Sequence, residues 1–105
     1  MHRRRLRGPL LAVVLAAFAT SAARLRPQAD AARASGDRAA LRLVVHTLKS
    51  SSASIGAMRL SQLCARIESA IRLETLGDQD ADLDALGCAL DEVLRAIEPL
   101  LKAQA

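Results

Sequence analysis

From Leu41 to Ile55 an inward-facing residue returns every three or four positions: Leu41, Val45, Leu48, Ser52 and Ile55, with Val44 widening the stripe. That period belongs to one face of an α-helix and to no strand. Three other segments repeat it. Leu60, Leu63, Cys64, Ile67 and Ile71 make a stripe between Ala57 and about Leu73, and Leu83, Leu86, Leu90, Val93, Ile97 and Leu100 make another. Ahead of these, Leu11, Val14, Phe18, Leu25, Ala29 and Ala32 recur at spacings of three, four or seven. A helix with one apolar stripe is not stable alone, so four of them with short connections predict an all-α domain, an antiparallel up-and-down four-helix bundle. Composition agrees. Phe18 is the sole aromatic residue and Ala and Leu dominate, which favours helix over sheet.

The connections carry helix stop and start signals. Gly36 suits the end of one helix, and Ser35 or Asp37 suits the cap of the next. Gly56 interrupts the second helix, and the turn expected over residues 76–82 offers Gly77 as a C-terminal cap with aspartates for the following N-terminus. Pro27 is expected to kink or interrupt the first helix, and Pro99 to bend or loosen the last. At 105 residues the chain holds one domain. We divide it into a basic tail, residues 1–8, and a bundle domain, residues 9–105.

The net charge of +4 resides in the tail. Arg3, Arg4, Arg5 and Arg7 account for all of it, and the remaining eleven basic side chains balance eleven acidic ones. A nucleic-acid binder spreads its cations over a face of the fold, so none is expected as a partner. The stretch MHRRRLRGPLLAVVLAAFATSAA imitates a secretory signal, with an arginine-rich start, an apolar run and small residues behind it. Its apolar run, Leu10 to Phe18, is too short to span a bilayer. The helical pattern continues past any cleavage site, through Leu25, Ala29 and Ala32, so a structural helix is the preferred reading. A small secreted helical protein, with residues 1–22 removed, is the alternative. Cys64 and Cys88 lie in apolar helical contexts without metal-site clustering, and read as free, buried thiols of a reducing compartment.

One residue stands out from this background. Positions 42, 46, 49, 50 and 53 share the side of the second helix away from its core stripe, and they hold Arg42, His46, Lys49, Ser50 and Ala53. A neutral imidazole is a competent nucleophile near pH 7. Acyl transfer would require an orienting acid and an oxyanion hole, which this segment lacks. Zinc would require further ligands, yet the only other histidine is His2 in the tail. Lys49, one turn away, supplies a charge to neutralise a phosphoryl group, and the serines keep the surface low for a partner's approach. Phosphoryl acceptance on an exposed helix face fits best, with the rest of the chemistry brought by a partner.

The run HTLKSSSASIGAMRLSQLCARIE, residues 46–68, resembles the signature of histidine-containing phosphotransfer (HPt) domains, approximately H-x-L-K-G-S-S-x-x-x-G followed by Leu, Cys and an acidic or amide residue at helical spacings. His46, Leu48, Lys49, Ser51, Ser52, Gly56, Leu60, Cys64 and Glu68 match in register. The lead-in at residues 36–41 and Phe18 extend the resemblance over most of the chain. It implies a phosphorelay carrier without kinase activity of its own, in which His46 takes a phosphoryl group from a receiver-domain aspartate and passes it to another. Lys49 would stabilise the added charge, and Arg42, Ser50, Ala53, Glu68 and Arg72 would lie in the docking or phosphate vicinity. No cofactor of its own is implied, since Mg²⁺ would come with the receiver domain. The implied partners are response-regulator receiver domains and an upstream hybrid histidine kinase, whose C-terminal module this chain would be or would serve. A cytoplasmic monomer is expected, free or as part of a membrane-bound kinase, with no membrane insertion by this segment. A docking or inhibitory module that carries no phosphate is the alternative. One departure stands out: Ser50 occupies the position where the family usually has glycine, and reduced or altered transfer is expected.

Overall fold

The computed structural model describes residues 9–73 and 79–104. It contains four helices and, among the described residues, no strand: α1 Pro9–Ser35, α2 Arg38–Ser54, α3 Met58–Leu73 and α4 Gln79–Gln104. The basic tail and Gly77 lie outside the described residues.

Both of the first two breaks use the same device. Gly36 and Gly56 have φ of 72° and 80°, the left-handed region in which a Cβ is strained. In each case the amide two past the helix end bonds a carbonyl five residues back: Asp37 N to Ala32 O at 2.9 Å, and Ala57 N to Ser52 O at 2.9 Å. This pairing satisfies carbonyls that the ending helix would otherwise leave open. Asp37 then caps α2, its Oδ1 accepting from Ala40 N at 3.0 Å.

Each helix packs against two neighbours, α1 on α2 and α4, and α3 on α2 and α4, with α2 and α3 packed most extensively. The core gathers Leu15, Phe18, Ala22, Leu25 and Ala32 from α1, Leu41, Val44, Val45 and Leu48 from α2, and Leu60, Cys64, Ile67 and Ile71 from α3. Leu83, Leu86, Ala89, Leu90 and Ile97 complete it from α4. Ion pairs tie α1 to α4 along their length: Arg26 bonds Asp91, and Arg33 reaches Asp84 at 3.0 Å and Asp80 at 3.2 Å. Being largely exposed, they set orientation more than stability.

The structure departs from expectation at five places. Leu11 and Val14 are exposed, because the inward line of α1 runs through Leu15 and Ala22 instead. A helix apolar over so much of its circumference does not declare which line faces in. Leu100 is half exposed, at the end of α4 where little remains to pack on. Cys88 is exposed while Cys64 is buried, and both are free. Pro27 does not break α1; it sits on the exposed side, where the amide it removes leaves a carbonyl open to water. Helix α4 begins at Gln79 inside the expected turn, with Asp80 and Asp82 in its first turn, where carboxylates favour the positive end of the helix dipole.

Candidate functional site

Helix α2 buries Leu41, Val44, Val45, Leu48 and Ser52, and this orientation leaves His46 on the opposite flank with 58 % of its side chain exposed. The imidazole sits where α2 meets α3. Glu68 of α3 reaches across and places Oε2 2.7 Å from His46 Nδ1 and Oε1 2.6 Å from Lys49 Nζ. One carboxylate therefore ties the imidazole to the ammonium, and it is itself largely covered, with 12 % of its side chain exposed.

A carboxylate only accepts, so this bond places a proton on Nδ1 and leaves the lone pair on Nε2. The orienting acid absent from the 44–57 segment is supplied by the neighbouring helix. The hydrogen bond from Lys49 chiefly holds the Glu68 carboxyl below its usual range, with the bond from His46 adding to it and burial opposing both. Glu68 is thus anionic at neutral pH and keeps the ring in one tautomer.

Small residues make this approach of α2 and α3 possible. Ser52 and Cys64 are fully buried between the helices and Ser61 nearly so. Ser61 Oγ donates to Lys49 O at 3.1 Å, a side-chain bond from α3 to the backbone of α2 beside the site. Burial pushes the Cys64 thiol up to about 12, with the negative charge of Glu68 adding to the rise, so it stays protonated beneath the site.

The serine run has a divided role. Ser51, Ser52 and Ser54 each donate to the carbonyl four residues back, at 3.0, 2.5 and 3.0 Å, and Thr47 does the same. These hydroxyls are spent within the helix. Ser50 is exposed and, among the described residues, its hydroxyl makes no such bond.

Of the residues singled out from sequence, the structure brings His46, Lys49 and Glu68 into one bonded group. Arg42 shares a shallow depression with Leu43, His46 and Glu68. Ser50 and Ala53 lie exposed along the same helix. Arg72 is exposed in the last turn of α3, one turn beyond Glu68, and does not line the depression. Two features escaped sequence reasoning. Glu68 was placed in the vicinity but not as the partner of the imidazole. Leu43, 67 % exposed one turn before His46, adds an apolar contact to the face; its signal was an apolar residue outside the core stripe. Among the described residues no group of three His, Cys, Asp or Glu side chains is arranged to hold a metal ion.

What this arrangement offers is a single accessible nitrogen nucleophile, a fixed tautomer, a nearby cation and an open, shallow approach. No curated protein and no solved structure matches the chain significantly. A family model described as Hpt domain matches residues 13–99.

Proposed function

The chain belongs to the Hpt domain family, and from that premise we propose that His46 is its phosphoryl acceptor, loaded on Nε2. Members of this family are phosphocarriers of two-component signalling and work with receiver domains. The observation that carries the assignment to His46 is its bond to Glu68, which leaves Nε2 as the free nucleophile on an exposed face.

The transfer balances without any proton movement. The Nε2 lone pair attacks the phosphorus of a receiver's aspartyl phosphate, the anhydride P–O bond breaks, and the aspartate leaves with the bonding pair. The ring becomes a phosphorylated imidazolium that retains its Nδ1 proton, and the Glu68 carboxylate offsets that positive charge. Lys49 gives one of its three protons to Glu68 and keeps two for the phosphoryl oxygens. The reverse step loads a second receiver. Nothing in this chain cleaves ATP or needs to, and the Mg²⁺ that stabilises the transferring group comes with the receiver.

The same reading gives the bundle its up-and-down antiparallel order. It is supported by the ion pairs, since later residues of α1 meet earlier residues of α4, as Arg26 meets Asp91 and Arg33 meets Asp84. Leu43, Arg42 and the low surface at Ser50 and Ala53 would receive the receiver domain. An upstream hybrid kinase as the source, and a cytoplasmic site of action, follow from the relay role.

The test is phosphotransfer from a panel of labelled receiver domains. The expected product is an acid-labile, alkali-stable label on the chain, absent in His46→Gln and retained in Arg72→Gln. Label persisting in a folded His46→Gln protein would overturn the assignment.

A further inference from the structure

The N-terminal half of α1 is apolar on two sides, and the protein covers only one of them. Leu15, Phe18 and Ala22 enter the core. On another side Leu10, Val13, Val14 and Ala17 follow one another at helical spacing, all exposed, with Leu10 at 51 % and Val13 at 64 %. Residues 9–23 contain no charged side chain. A helix apolar on all sides is ordinarily covered on all sides. This strip also overhangs the rest of the bundle. Helix α1 has 27 residues against 17 in α2, so about ten residues, roughly 15 Å at the helical rise, extend past the end of α2. The far end of α4 lies alongside: Ala19 shares a groove with Leu94, Ile97 and Leu101, beyond which come the half-exposed Leu100 and Lys102.

Charge indicates what covers the strip. Arg3, Arg4, Arg5 and Arg7 precede it directly, and the first acidic residue of the chain is Asp30. Cations at a helix N-terminus meet the positive end of the dipole, an unfavourable placement unless anions are at hand. A second copy packed strip on strip, in either direction, would offer these arginines no carboxylate. Phosphate headgroups would offer many.

We infer that this end of the bundle docks on an anionic lipid surface. Leu10, Val13, Val14 and Ala17 enter the boundary between headgroups and acyl chains, and the four arginines lie among the headgroups. Helix α1 rests on the membrane and does not cross it. By length and composition it is apolar enough to cross, with mean hydropathy 1.4, but crossing would withdraw Leu15, Phe18, Ala22, Leu25 and Ala32 from the core. Because the strip projects beyond α2, the His46 face stays open to soluble partners.

The experiment is co-sedimentation of the full chain with vesicles of phosphatidylcholine alone or mixed equally with phosphatidylglycerol. Binding is expected on the anionic vesicles, at least about tenfold stronger than on the neutral ones and released by high salt. Replacing all four arginines together (Arg3→Gln, Arg4→Gln, Arg5→Gln, Arg7→Gln) is expected to weaken it by about a hundredfold or more. Leu10→Asp with Val13→Asp is expected to weaken it by at least about tenfold. Both sets leave the core untouched, so helicity by circular dichroism and phosphotransfer in vesicle-free solution stay at the parent level. A failure here is therefore separate from a failure of the relay reading. Equal binding to both vesicles, no binding, or binding indifferent to the replacements would overturn the inference. So would resistance to alkaline extraction, which marks a spanning helix, or a dimer broken by Leu10→Asp in a chain that ignores vesicles.

Discussion

Glu68 Oε2 lies 2.7 Å from His46 Nδ1 while the other oxygen of the same carboxylate lies 2.6 Å from Lys49 Nζ. The nucleophile and its nearest cation are thus positioned by one side chain from another helix, and disturbing that side chain disturbs both.

Glu68→Ala removes a charge-assisted bond to the ring, a class of interaction contributing about 1.5–3 kcal/mol. If it acts in the transfer step, the rate falls roughly ten- to hundredfold. Glu68→Gln keeps an oxygen able to accept from Nδ1 and is expected to fall in between. Single-turnover transfer from one phosphorylated receiver measures both, and parent-like rates in both would show that the carboxylate does not act on the ring.

The same group sets a pH dependence of stability. Its folded-state pKa is depressed below the ordinary value of 4.5, chiefly by Lys49. A depressed carboxylate contributes stability that is complete well above pH 4.5 and is lost as pH falls through the lower, folded-state value. Melting temperatures measured from neutral to acid pH should therefore converge for the parent and Glu68→Gln at the acid end. A constant difference across that range would contradict the expectation.

Two glycine substitutions should have opposite signs. At Gly56 a Cβ meets nothing within 4 Å, but φ is +80°, so Gly56→Ala costs about 1 kcal/mol or somewhat more from backbone strain alone. Gly87 lies within α4 and an added Cβ comes only to 3.4 Å of the Arg26 guanidinium, a flexible end. Gly87→Ala should stabilise by up to about 1 kcal/mol through helix propensity. Urea denaturation of the two variants provides the comparison.

Ser50→Gly tests the departure from the family pattern. Removing a hydroxyl that no carbonyl of the helix engages should change the transfer rate several-fold, at a cost of a few tenths of a kcal/mol in helix stability. Transfer at the parent rate would show the serine to be irrelevant to the relay.

The ease with which each element is read from sequence follows its contrast. Helix α2 alternates buried aliphatics with polar residues, so its core line and the outward placement of His46 are both legible. Helix α1 has little such contrast between residues 9 and 23, and periodicity there selects Leu11 and Val14 where packing selects Leu15 and Ala22. Glu68 illustrates a different limit. A carboxylate on a helix ordinarily reads as solvated, and only the approach of α2, set by Ser52, Ser61 and Cys64, turns it into a covered acceptor. The resemblance to the family signature located Glu68 near the site, but its pairing with both His46 and Lys49 is a three-dimensional fact. Cys88 sits among alanine and leucine yet faces out, since its neighbours Ala89 and Leu90 take the inward line.

The bond from Ser61 Oγ to Lys49 O has a consequence for evolution by core substitution. A shift of α3 along α2 by a single residue would move Glu68 by about 1.5 Å, enough to break its contact with the imidazole. The hydroxyl of Ser61 works as an alignment pin between the two helices. Changes elsewhere in the hydrophobic interior can then be absorbed as rotation or spreading of the bundle, while the axial setting that brings carboxylate and ring together is held by a residue that takes no part in the chemistry.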